Sequence, residues 1–123
     1  MIGNRKKLIG MIGAITVLTG QFIISPMASA DGVAAAEMGK KIAFDRKKGN
    51  CLACHGIPGG ASPGNIAPAL VAIQSRFPNK AALRSQIWDA TIKNPESPMP
   101  PFGKHGALSE KEIDDIVEFV WNL

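Results

Sequence analysis

Apolar residues recur with helical spacing in three parts of this chain, and no part alternates apolar and polar residues for long enough to predict a sheet. The first predicted helix runs from Ala34 to about Arg46, with Met38, Ile42 and Phe44 facing inward. Lysines occupy its polar side and follow its end: Lys40, Lys41, Lys47 and Lys48. This pattern predicts an amphipathic helix that covers a core.

A second helix is predicted from Lys80 to about Lys93, because Asn79 can cap its first turn and Pro95 follows its end. Its inward-facing residues are predicted to be Leu83, Ile87, Trp88 and Ile92. Upstream of it, residues 56–68 are rich in Gly, Pro, Ser and Asn, which predicts a loop.

The last helix has the clearest sequence signals. Ser109 and Glu112 have the spacing of a capping box, in which the two residues satisfy backbone N–H groups of each other. Leu108 and Ile113 are placed to pack across this start as a hydrophobic staple. The apolar stripe of the helix consists of Ile113, Ile116, Val117 and Val120.

Residues 1–30 have the pattern of a secretory signal peptide. Three basic residues at positions 5–7 precede an almost wholly apolar run from Leu8 to Ile24, and the Ala-Ser-Ala sequence at 28–30 forms a signal-peptidase site. We therefore expect cleavage after Ala30, export to the periplasm and a mature domain of residues 31–123 that has no membrane contact. The alternative is a retained membrane anchor, because an apolar run of this length is close to the shortest helix that spans a membrane.

The distribution of charge argues against a nucleic-acid partner. The formal net charge is +4, but three of the 14 basic residues and none of the 10 acidic ones lie in the predicted signal peptide. The mature domain is therefore close to neutral, and it contains no basic stripe with interleaved aromatic residues.

The sequence Cys51-Leu52-Ala53-Cys54-His55 has the C-x-x-C-H spacing of a covalent haem c attachment site. Two thiols one helical turn apart can both form thioethers with one haem, and the imidazole of His55 then reaches the iron as its proximal ligand. A zinc site would need about four ligands, and a thioredoxin-like C-x-x-C motif would need neighbouring strands. The pattern favours haem over both alternatives.

Three residues of the predicted mature domain could supply the distal iron ligand: Met38, Met99 and His105. The spacing of Met38 on the first helix is typical of core packing. Met99 lies between prolines, in Pro98-Met99-Pro100-Pro101, and such a stiff non-helical segment can hold a thioether against the iron at little entropic cost. We predict Met99 as the distal ligand, which closes the iron to substrate and favours one-electron transfer.

These residues together resemble a class I cytochrome c. The resemblance rests on Gly39 in the first helix, the C-x-x-C-H motif, an Ala67-Pro68-x-Leu70 segment, the methionine loop and the apolar terminal helix. It implies an all-α domain of about four helices, with the first and last helices crossing, packed around one covalently attached haem c. It also implies that the backbone carbonyl of Pro68 orients His55. The family more often has Gly where this chain has Ala67.

A narrower resemblance is to SoxX, the monohaem subunit family of the sulfur-oxidising SoxAX cytochromes. It is carried by the phrases K-G-N-C-L-A-C-H at 48–55, P-G-N-I-A-P at 63–68, M-P-P-F-G at 99–103 and the start of the last helix. It implies a SoxA-like partner with one or two haems, which joins thiosulfate to a cysteine of the SoxYZ carrier and releases two electrons. This chain would accept those electrons and pass them to a downstream cytochrome c.

The resemblance to SoxX therefore implies that this chain is the electron-accepting subunit of an L-cysteine S-thiosulfotransferase and has no catalytic residue of its own. Both cysteines of the sequence lie in the C-x-x-C-H motif, so none remains for sulfur chemistry. The alternative is a free-standing periplasmic electron shuttle with no enzyme partner. A gas-binding or peroxidase haem protein would instead need an open iron site.

Overall fold

The computed structural model describes residues 30–123, and its regular structure is entirely helical. The described helices are α1 (Ala30–Phe44), α2 (Ile73–Arg76), α3 (Lys80–Trp88) and α4 (Glu110–Trp121), and Cys51–Ala53 and Ala90–Ile92 form single 3-10 turns. Within residues 30–123 the only β-type pairing is one isolated bridge between His55 and Ala67. The predicted all-α class is confirmed.

The prediction of a signal peptide at residues 1–30 lies outside the described residues except for Ala30. From Ala30 onward, no helix is long and apolar enough to cross a membrane.

Helices α1 and α4 cross in close contact at Gly39. A Cβ atom built on Gly39 would lie 1.9 Å from the carbonyl oxygen of Asp115, so only a residue without a side chain lets the two backbones approach this closely. Ile42 on α1 and Ile113 and Ile116 on α4 are buried around the crossing. The crossing thus forms the base of the core, as the class I cytochrome c resemblance implies.

Two predicted core residues are exposed instead. Met38 is 47 % exposed, because the face of α1 that meets α4 is formed by Gly39, Ile42 and Ala43. Ile92 is 75 % exposed, because α3 ends at Trp88, before the predicted end of the helix, and Ile92 falls on the following 3-10 turn. The helical spacing was correct for α1, where contact with α4 buries a narrower face than predicted, but the second predicted helix extended too far.

The start of α4 has the predicted capping box and an ion pair with the segment before the cysteines. Ser109 N donates to Glu112 Oε2 at 2.9 Å, and Glu112 N donates to Ser109 Oγ at 3.3 Å. Lys48 Nζ also donates to Glu112 Oε1. Hydrogen bonds to the carboxylate lower the pKa of Glu112 to about 2. The bond from Lys48 has the largest effect, and the bond from the backbone of Ser109 has the next largest.

The free energy of unfolding of the domain should therefore decrease as the pH is lowered, over the range in which Glu112 takes up a proton. A carboxylate whose folded-state pKa is lowered stabilises the fold above its ordinary pKa of 4.5, and this contribution is lost as pH falls toward 2. Glu112→Gln should lose the contribution already at neutral pH and show a flatter dependence of unfolding free energy on pH, measured by urea titration. Glu110→Gln, in the same helical turn but 78 % exposed, should keep the wild-type slope. An unchanged slope in Glu112→Gln would contradict this assignment.

Candidate haem-binding site

A single cavity of about 760 Å³ brings together every site residue predicted from the sequence, with Cys51, Cys54, His55, Pro68 and Met99 all on its wall. Its volume lies within the range of about 300–1,000 Å³ that is usual for cofactor and ligand sites. The deeper wall is apolar and comes from three helices and the loop before α4: Ile73, Leu83, Ile87, Phe102, Leu108, Ile116 and Val120. An apolar wall with a few polar groups at one side suits a flat, largely hydrophobic cofactor.

The cysteines are presented by a tight turn that the backbone enters through Asn50, whose φ of 48° is left-handed. Cys54 N and His55 N both donate to the carbonyl oxygen of Cys51, at 3.2 and 2.9 Å, and so wind the turn. The residue before Asn50 is Gly49. A side chain is disfavoured there, because a Cβ atom would lie 2.9 Å from the carbonyl oxygen of Ile42. The turn thus places both cysteines on the wall of the same cavity.

The thiols do not have the environment of a redox or zinc site. Burial raises the pKa of Cys51 to about 11, whereas a reactive C-x-x-C cysteine has a lowered pKa. Over residues 30–123, no group of three or more His, Cys, Asp or Glu side chains is placed to hold a metal ion. The Cys51 thiol therefore differs from the reactive thiol of a redox C-x-x-C site.

His55 is oriented by the segment that follows the loop. Its Nδ1 lies 2.7 Å from the carbonyl oxygen of Pro68, which can only accept, so Nδ1 carries the proton and Nε2 is left with its lone pair. Ala67 N donates to the carbonyl oxygen of Cys54 at 3.0 Å, and this bond holds the two segments side by side. Ala67 needs no left-handed φ here, so the alanine at this position fits without strain.

Of the three candidates for the distal ligand, only Met99 lies on the cavity wall. Met99 is half-buried against the core, whereas Met38 and His105 are exposed and lie away from the cavity. The Met99 N–H donates to Ser97 Oγ at 3.3 Å, which steadies the turn that presents the thioether. The structure thus places one imidazole and one thioether on the same cavity.

The donors and the shape fit a haem c group. Two thiols, an imidazole with a free Nε2 and a thioether line a cavity whose remaining wall is mostly apolar, and this combination matches the ligation of c-type cytochromes.

The family model described as "Cytochrome C oxidase, cbb3-type, subunit III" matches residues 34–120, which is nearly all of the described structure. The chain belongs to this family of cytochrome c domains. Membership indicates haem c as the cofactor and electron transfer as the class of function, and the predicted class I cytochrome c fold is confirmed.

Two similar proteins extend the comparison. The crystal structure of SoxXA from P. pantotrophus matches with a TM-score of 0.62 and 30 % identity, over 69 % of this chain and 78 % of the matched chain. This match confirms the resemblance to SoxX that the sequence motifs predicted. An uncharacterised lipoprotein of Aquifex aeolicus is 39 % identical over 75 residues, and the match covers 60 % of this chain and 36 % of that protein. This chain therefore spans only about a third of that relative's length.

The sequence did not reveal α2 or its contribution to the site. Ile73 is completely buried and Phe77 is half-buried, and both line the cavity. A four-residue helix is too short to produce a hydrophobic period. The only available signal was the neighbouring Ala67-Pro68-x-Leu70 phrase, since Leu70 is also on the wall.

Proposed function

We propose that this chain is an exported, monohaem electron-transfer cytochrome, with residues 1–30 as its signal peptide and residues 31–123 as its periplasmic domain. One observation carries the proposal: a single cavity collects both cysteines, His55 and Met99. In this role, Cys51 and Cys54 would hold the cofactor covalently, and His55 and Met99 would both bind its iron. The haem supplies one-electron exchange at its iron.

The two side chains also argue against other haem chemistry. With His55 oriented by Pro68 and Met99 on the wall of the same cavity, the chain itself would supply both ligands that the porphyrin leaves open on the iron. Gas binding and peroxide chemistry need one of those positions to be open. A thioether ligand also favours ferrous iron and so suits a protein that accepts electrons.

The likeness to the SoxXA structure supports a finer role, as the electron-accepting subunit of a thiosulfate-oxidising complex. A SoxA-like partner would join thiosulfate to a cysteine of a SoxYZ-like carrier, and this chain would take the released electrons to a downstream cytochrome c. The sulfur–sulfur bond would form on the partner, because both cysteines of this chain are held at the haem cavity.

Purification of the tagged full-length chain from its own cells, grown on thiosulfate, tests this role. A subunit should elute with a second haem protein, and a haem-stained denaturing gel should show two bands. A free shuttle would elute alone as a monomer with one band, and that result would overturn the complex while leaving the cytochrome assignment intact. In a Cys51→Ala, Cys54→Ala control, the band of this chain should lose its haem stain.

A further inference from the structure

The segment that carries Met99 is a loop whose two ends meet away from the cavity. The chain leaves α3 at Trp88 and returns at Gly103, where Gly103 N and Lys104 N donate to the carbonyl oxygen of Trp88 at 3.1 and 3.3 Å. A Cβ on Gly103 would lie 2.1 Å from the indole ring of Trp88, so the returning chain packs directly on this ring. Residues 89–104 therefore form a compact loop closed at its base.

Asp89 joins the two ends of this loop with its two carboxylate oxygens. Oδ1 accepts from the backbone N–H of Thr91 at 3.0 Å and from its hydroxyl group, on the outgoing side. Oδ2 forms an ion pair with Lys104 Nζ at 2.9 Å, on the returning side. The Asp89 side chain is only 3 % exposed, so this carboxylate depends on its protein partners.

Bonds from Thr91 and then from Lys104 lower the pKa of Asp89, so the carboxylate is ionised at neutral pH. Between the two ends, the loop is held by a few hydrogen bonds within it, such as Asn94 N to the carbonyl oxygen of Ala90 at 3.2 Å, and by Lys93 over the ring of Phe77. None of residues 92–98 is buried, and Met99 is itself only half-buried. A loop with few buried contacts opens at low free-energy cost unless its base is fixed.

We propose that Asp89 and Lys104 are positioning residues for Met99, which keep its thioether in the cavity by holding the base of the loop closed. Neither residue lies on the cavity wall, so both act through the loop and not by contact with the cofactor. The inference rests on the proposed function, in which Met99 is the distal iron ligand. It assigns the strength of that ligation to an ion pair that lies away from the cavity wall and of which only Asp89 is buried.

The ferric holoprotein offers a direct test, with imidazole as the probe. Imidazole can replace the thioether only when the loop opens, and the exchange is followed by the loss of the weak near-infrared band of sulfur-ligated ferric haem. Lys104→Met and Asp89→Asn should each exchange about tenfold faster than the wild type, because each breaks the ion pair at the base of the loop. Lys104→Arg should restore the wild-type rate, since it keeps the cation.

Glu118→Gln is the matched control. It also removes one carboxylate from an ion pair, with Lys80 on α3, and neither residue contacts the loop or its base at Trp88. The proposal predicts a wild-type exchange rate for this variant, even if its unfolding midpoint falls. Equal acceleration in Glu118→Gln would overturn the proposal, because the effect would then reflect general stability.

The remaining outcomes distinguish a failure of this inference from a failure of the proposed function on which it rests. If the wild type shows the near-infrared band and Lys104→Met exchanges at the wild-type rate, the positioning role is wrong and Met99 ligation stands. If the wild type lacks the band, Met99 ligation is wrong and the positioning role falls with it. Lys104 has a side chain that is 56 % exposed, so its variant decides the test should Asp89→Asn fail to fold.

Discussion

A Met99→Ala holoprotein should lose the near-infrared band of sulfur-ligated ferric haem and bind carbon monoxide rapidly when reduced. Met99 is the one candidate distal ligand that the structure places on the cavity wall, and alanine leaves that position of the iron open. Its reduction potential should fall by about 0.1 V or more, within the ~0.8 V range that axial ligands span, because a thioether stabilises ferrous iron. Absorption spectra and redox titration measure these changes.

Met38→Ala provides a matched control, since it removes the same side chain from an exposed position on α1. The band, the potential and the slow reaction with carbon monoxide should all be those of the wild type. His105→Ala should likewise have no effect, because that histidine is exposed and away from the cavity. A band that survives in Met99→Ala but disappears in one of these variants would reassign the distal ligand.

Gly39→Ala should destabilise the folded domain by about 3 kcal/mol, at the upper end of the usual effect of overpacking. The new Cβ would lie 1.9 Å from the carbonyl oxygen and 2.4 Å from the carbonyl carbon of Asp115. These are backbone atoms of α4, so the clash can be relieved only by moving one helix away from the other. A loss of this size should lower the thermal midpoint by roughly 12–24 °C for a domain of this length.

Gly56→Ala makes the same chemical change where there is room for it. The nearest atom to a Cβ on Gly56 is the Cβ of Ala69 at 3.4 Å, which is an ordinary contact. This variant should unfold within a few degrees of the wild type in the same denaturation experiment. Equal stability of the Gly39 and Gly56 variants would show that α1 and α4 do not approach each other as closely as the 1.9 Å distance at Gly39 requires.

The parts of the fold that local chemistry determines were predictable from the sequence. The cap at Asn79 and the capping box of Ser109 and Glu112 involve residues three positions apart, so their spacing alone indicates the contact. The attachment turn and its histidine were predictable for the same reason, because the five residues of the motif are contiguous.

What could not be predicted depends on contacts between distant segments. The exposure of Met38 follows from how closely α1 approaches α4, and no periodicity along α1 specifies that distance. Similarly, nothing in the sequence distinguishes Asp89 from a surface aspartate, because its burial arises only when Lys104 returns to it. The site residues were therefore easier to identify than the residues that hold them in place.

The contribution of α4 to the cavity wall has a consequence for the order in which the domain is assembled. Ile116 and Val120 lie far along the chain from Cys51, and the crossing partner of α4 is the first described helix. Contacts between such distant segments close a long loop of backbone and therefore cost conformational entropy. A chain in which α4 has not docked would have both thiols but only part of the cavity wall, so a cofactor bound there would be enclosed only once α4 is in place.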